Sequence, residues 1–232
     1  MFNQIKKDLQ KLANPKKAQI LQRFFKTGKG EYGEGDIFLG ITVPKQREIV
    51  RKYKDAPLSV IAKLIASKIH EHRLVGVLIL VEQFKCVDNK MQKKIFDFYL
   101  KNAKQINNWD LVDLSAPYLG KFLLDKDTRI LTKLAKSKNL WERRISIMFT
   151  YAFIRENKFN ETLKIAELLV CDEHDLIHKA VGWMLREVGK RDLESEEHFL
   201  KKHYKNMPRT MLRYAIEKFE ERKRKKYLKN LI

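Results

Sequence analysis

Trp109 and Asp113 stand four residues apart in NNWDLVDLSAP, residues 107–117. On a helix, positions i and i+4 share a face, so the indole and the carboxylate point the same way while Asp110 points elsewhere. A fixed carboxylate stabilises positive charge that develops on a sugar as its base departs, and it orients an attacking water, as glycosidase carboxylates do. A tryptophan face attracts cationic groups and packs on sugar C–H bonds. The same aspartate would serve as the ion-pair partner of a nearby Lys or Arg, and the sequence leaves both roles open.

The rest of the chain bears on what such an acid would face. Its 232 residues carry 49 Lys and Arg against 29 Asp and Glu, a net charge of +20. This surplus favours a polyanionic partner, because neutralising phosphates releases condensed counterions, and nucleic acid is the first candidate. Beside phosphates an aspartate is repelled, so its presence there needs a compensating reason, such as a developing cation. With 44% hydrophobic residues the chain can bury one large core or a continuous repeat array, and residues 1–232 are expected to form a single domain. The longest uncharged run is the ten residues from Ile145 to Ile154, short of the roughly 20 that span a bilayer. The start, MFNQIKKDLQ, has no apolar stretch followed by a cleavage site, so a cytoplasmic protein with no membrane partner is expected. Cys86 and Cys171, without CxxC spacing, suit a reducing compartment better than a disulfide scaffold or a zinc site.

The elements that must position these residues read as helices almost throughout. Residues 58–68, 90–103 and 159–170 carry apolar side chains at intervals of three and four, and strict alternation is scarce. Asn14 before Pro15 reads as an N-cap, and Asn139 with Glu142 resembles a capping box. The run Leu74–Val81 is apolar enough for a buried strand, but its flanks extend a helical pattern to about fifteen residues, which favours a buried helix. Aligning the polar ends of the buried helices puts Arg73, Trp109, Arg144 and Lys179 in one column at steps of 36, 35 and 35. Four residues on, Val77, Asp113, Met148 and Trp183 keep the same steps, and MPRTMLRY adds Thr210 and Tyr214 at a shorter one. A period in the mid-thirties is that of an all-α solenoid of paired helices, with equivalent positions lining one surface. Ordinary core packing produces similar columns, and the alignment alone does not choose.

Other motifs carry less. GKGEYG, Gly28–Gly33, matches the dinucleotide fingerprint G-x-G-x-x-G, which requires a strand before it and a helix opening on its last glycine. Here the helical KKAQILQRFFK precedes it, the acidic EGD follows, and five of the nine glycines fall between 28 and 40, as in a loop joining helices. His174 and His178 have i,i+4 spacing but no HExxH or cysteine partner, so capping or solvated histidines are expected and no metal. The tail ERKRKKYLKN, residues 221–230, is a charged helix end that adds to the phosphate-attracting field.

Four segments together, in order and over nearly the whole chain, resemble the AlkD-type DNA-alkylation-repair glycosylases. They are KTGKGEYGEGDIFLGITVPKQR (26–47), WDLVD (109–113), LWERR (140–144) and KAVGWMLRE (179–187). The resemblance implies HEAT-like helical repeats with a concave basic cleft, and a monofunctional glycosylase; nothing in the sequence demands an oligomer, and a monomer is expected. Its substrate would be duplex DNA containing cationic N3- or N7-alkylpurines, hydrolysed without base flipping and without metal or other cofactor, with the enzyme nucleoid-associated when bound. By the same resemblance Asp113 is the catalytic carboxylate and Trp109 and Trp183 pack on the lesion's deoxyribose. Arg144 is a phosphate-gripping arginine needed for activity, and Arg47, Lys179 and Arg186 contact the backbone. Phe24 stands near the lesion where some members have tyrosine, and Asn108 replaces a second tryptophan, two departures that bear on lesion range. The alternatives are a helical-repeat DNA-binding protein without catalysis, which the retained Trp109, Asp113, Arg144 and Trp183 oppose, and a protein-binding scaffold, which leaves the charge unexplained.

Overall fold

The computed structural model describes all residues, Met1–Ile232. Helix contacts divide them into two compact units, Met1–Ser115 and Ala116–Ile232. The first contains α1 (Phe2–Lys11), α2 (Pro15–Phe24), α3 (Val43–Lys52), α4 (Leu58–Ile65), α5 (His70–Cys86), α6 (Asn89–Lys101) and α7 (Trp109–Asp113). The second contains α8 (Ala116–Leu119), α9 (Arg129–Ala135), α10 (Leu140–Phe149), α11 (Tyr151–Arg155), α12 (Asn160–Leu169), α13 (Asp175–Gly189), α14 (Leu193–His203), α15 (Arg209–Ala215) and α16 (Glu221–Leu228). The fold is all-α, and its one β-type contact is an isolated bridge between Ile37 and Ile69.

In the first unit α5 is the centre, packed by α1, α3, α4, α6 and α7. Leu74–Val81, which could have been a strand, lies inside it, and every residue from His70 to Val81 is buried. A helix covered on several sides needs apolar residues all round, which is why the run lacks amphipathic spacing. In the second unit α13 is the corresponding centre, packed by α10, α11, α12, α14 and α15. Caps follow the sequence signals. Asn14 accepts from Lys17 N–H at 3.0 Å, and Asn139 accepts from Trp141 and Glu142 N–H. The reciprocal arm of the expected capping box is diverted, because Ser137 Oγ accepts from Asn139 N–H and donates to the Glu142 carboxylate.

The helix entries carry a repeat whose register differs by one residue from the expected column. Ser67 Oγ accepts from Ile69 N–H, and Arg73 Nη1 donates back to Ser67 O at 2.9 Å. Seventy residues on, Ser137 Oγ accepts from Asn139 N–H, and Arg143 Nη1 donates to Ser137 O at 3.1 Å. Another 35 on, Asp172 Oδ1 accepts from His174 N–H while His178 Nε2 donates to Asp172 O. Arg73 is therefore the counterpart of Arg143 and His178, and Leu74 is what falls in step with Trp109, Arg144 and Lys179. The placement of Arg73 on a binding row is corrected accordingly. Its guanidinium is buried, folded over its own loop and paired with Asp36 at 2.6 Å.

The glycine-rich segment, residues 25–42, is a loop joining α2 to α3 and is tied down along its second half. The buried Glu71 carboxylate accepts from the N–H groups of Leu39, Gly40 and Ile41 at 2.9, 2.8 and 3.2 Å. Ile37 N–H donates to Lys68 O, His70 N–H to Ile37 O, and Asn14 N–H to Leu39 O. Gly40 has φ of +81°, and a Cβ there would lie 2.2 Å from Asn14 O, so no other residue fits this crossing.

Candidate functional site

Trp109 opens α7, with Asn108 as its N-cap, and its half-buried indole is held on several sides. It stacks on Phe25 at 5.0 Å, meets Phe24 edge-on at 5.9 Å, and donates from Nε1 to Tyr32 Oη at 3.2 Å. Phe24 itself is 62% exposed. Asp113 ends the same short helix and is half-buried. Asp110 points elsewhere, as expected: it is buried and accepts from His70 Nε2 at 2.8 Å.

Beneath this helix lies a buried charged network. Asp36, the acid of EGD, faces His70 Nδ1 at 3.3 Å, Arg73 Nη2 at 2.6 Å and Asn108 Nδ2 at 3.4 Å. Burial pushes the Asp36 carboxyl up, but the hydrogen bond from His70 and the Arg73 charge outweigh it and hold the group below its usual range. Burial pushes the His70 imidazole down, but the Asp110 charge and the hydrogen bonds to Asp110 and Asp36 outweigh that and raise it to about 9. His72, two residues on, faces no carboxylate. Burial, with Lys6 and Arg73 nearby, lowers it to about 4, and its Nδ1 lies 2.9 Å from Ser67 Oγ. The sequence HEHR thus contains one charged and one neutral histidine at neutral pH.

Arg47, the other expected site residue of this unit, is half-buried on α3.

The second unit carries the remaining expected residues. Arg144 is buried on α10 and donates from Nη1 to Leu176 O. On α13, Lys179 pairs with Asp175 at 2.6 Å, and Arg186 pairs with Glu217. Trp183 is half-buried, near Tyr151 at 6.5 Å, and donates from Nε1 to Glu187 Oε1 at 3.1 Å. Glu187 also holds Lys190 at 2.6 Å. The Lys179–Asp175 pair is exposed, and pairs of this kind contribute only about 0–1 kcal/mol.

No group of three or more His, Cys, Asp and Glu side chains could hold a metal ion. His174 is the N-cap of α13, accepting from Leu176 N–H at 3.1 Å, in keeping with its expected capping role. Sequence reasoning missed Phe25, Tyr32, Asp36, His70 and Glu187. The available signals were an acid inside a glycine-rich loop and a histidine before a helix of apolar residues; what brings Tyr32, Asp36 and His70 to the site is contact across 34 to 77 positions of sequence.

The family model described as DNA alkylation repair enzyme matches residues 5–219. No curated protein sequence matches. Among solved structures, a protein from Enterococcus faecalis described as a predicted DNA alkylation repair enzyme superposes with a TM-score of 0.71. The match covers 90% of this chain and 97% of that one at 16% identity, so what it shows is a common fold. With the family's pattern running through nearly its whole length, the chain belongs to the DNA alkylation repair enzyme family.

Proposed function

We propose that the protein is a monofunctional DNA glycosylase that hydrolyses the N-glycosidic bond of cationic N3- or N7-alkylpurines in duplex DNA. Residues 1–232 act as one monomeric domain that leaves the base in the helix. The observation that carries this reading is α7: a five-residue helix bearing a firmly held indole at one end and a half-buried carboxylate at the other, in a family described by alkylation repair. The C1′–N bond breaks with its electron pair going to the purine, which leaves neutral because alkylation had made it a cation. Asp113 stabilises the oxocarbenium-like sugar and orients water, whose oxygen adds to C1′ and whose proton passes to the carboxylate or solvent. Trp109 and Trp183 pack on the deoxyribose, with Phe24 close to the lesion. Arg144, Arg47, Lys179 and Arg186 hold backbone phosphates. All of this chemistry is supplied by side chains.

The test is release of free base from duplex DNA containing N7-methylguanine, with Asp113→Asn alongside. Loss of a transition-state electrostatic partner lowers the rate by about 100-fold or more, while DNA affinity holds. An unchanged rate removes the carboxylate role. The second reading, a helical-repeat DNA-binding protein without catalysis, is favoured by one observation: Arg144 is buried and already serves the fold through Leu176 O. Salt-sensitive binding to the same duplex with no release by the wild-type protein would establish it.

A further inference from the structure

A helix of five residues is too short to hold its own shape in water, so α7 needs anchors from elsewhere. His70 supplies two. Its Nε2 reaches Asp110, next to Trp109, at 2.8 Å, and its ring ends an aromatic stack that leads to the indole. The stack runs His70 on Phe38 at 4.4 Å, Phe38 on Phe25 at 5.0 Å and Phe25 on Trp109 at 5.0 Å, with interplanar angles of 20°, 20° and 18°. Both routes start at one buried ring. A neutral imidazole has a single N–H and would turn a lone pair towards Asp36 or Asp110, whereas an imidazolium donates to both.

We propose that His70 is the positioning residue of the site, holding Trp109 and Asp113 in their working arrangement through Asp110 and the aromatic stack, and that it does so only while its ring carries both protons. The effect on base release rests on the glycosylase reading above; the mechanical coupling of His70 to Trp109 does not. The charged groups around the ring are Asp36 from the loop, Asp110 from α7 and Arg73 from α5, with Glu71 and Lys17 lining the adjoining cavity of about 190 Å³. The two carboxylates outweigh burial and Arg73, so the ring stays protonated to about pH 9.

The readout is the Trp109 indole N–H in ¹⁵N NMR, assigned by comparison with Trp109→Phe. In the wild-type protein the resonance should titrate with a midpoint near 9; in His70→Gln it should sit displaced at pH 7 and no longer titrate. Single-turnover base release by His70→Gln should fall about tenfold at pH 7, with DNA affinity within about twofold, as expected when reacting groups are misplaced and binding is not. Wild-type release should also decline above pH 9 while the variant's profile stays flat. A wild-type resonance that stays in place from pH 7 to 10.5 overturns the proposal, and this arm needs no variant to fold. A displaced resonance with unchanged release overturns the positioning role. Absence of release from the wild-type protein, with the resonance still titrating, sinks the glycosylase reading and supports the coupling.

Discussion

At Arg144 the fold and the proposed DNA contact draw on one guanidinium. Its Nη1 donates to Leu176 O, which ties α10 to the start of α13. Arg144→Ala should destabilise the protein by about 1–3 kcal/mol in urea unfolding, because it removes a buried side chain and its charge-assisted hydrogen bond to the backbone. If the phosphate contact exists, the same variant should reduce the slope of log affinity against log salt by about one. A lower stability with an unaltered slope would assign Arg144 to the fold alone. His70 makes a parallel prediction for stability. Its folded value, about 9, lies above the usual 6.5, so its contribution is fully present below pH 6.5 and lost as pH rises through 9. Thermal midpoints taken between pH 6 and pH 10 should drop across that window, and the drop should be smaller in His70→Gln.

Helices α5 and α13 are the centres of their units, and α13 carries a tight crossing at Gly182. A Cβ there would stand 2.4 Å from Met211 O and 2.5 Å from Tyr214 Cβ, so α15 approaches α13 as closely as backbone permits. Gly182→Ala should push α15 outward and lower stability by about 1–3 kcal/mol, measured by urea unfolding, as overpacking does. A neutral result would mean that α15 is loosely docked. Elements of this length were legible from the sequence, because spacing of three and four residues is written locally: α4 and α12 fall within the stretches expected for them, and α6 begins one residue before its own. The charged flanks of Leu74–Val81 likewise revealed α5 as a helix. The repeat was legible to within one residue. Arg143 and Arg144 are adjacent and alike, and only the hydrogen bond from Arg143 to Ser137 O shows which of them corresponds to Arg73. The supports of Trp109 were not legible, because α7 is too short for a periodic signal and its partners come from Phe24 at the end of α2, from Phe25 and Tyr32 in the loop, and from His70 on α5.

For the whole molecule, +20 is the quantity that decides how DNA is met. Each phosphate neutralised contributes a slope of roughly −0.9 in log affinity against log salt, so a protein holding several should lose duplex affinity steeply between 50 and 200 mM salt. A shallow dependence would mean that the charge is spread over surfaces the duplex never touches. The family match ends at residue 219, and α16 follows it. This basic helix is more than a charged tail: Tyr227 is fully buried, and Arg209 Nη2 donates to Leu228 O at 2.9 Å.

The anchoring of the glycine-rich loop has a consequence for protease digestion. Its tip, with Lys29 exposed, offers trypsin a site, whereas the chain on either side is fastened. On one side Ile5 and Leu9 are buried and Asp8 pairs with Lys52 at 2.6 Å; on the other Glu71 holds residues 39–41. A single cut after Lys29 should therefore leave a nicked protein whose two pieces stay together on gel filtration and part only in denaturant. The same position should divide the gene into a short and a long part whose products reassemble when expressed together.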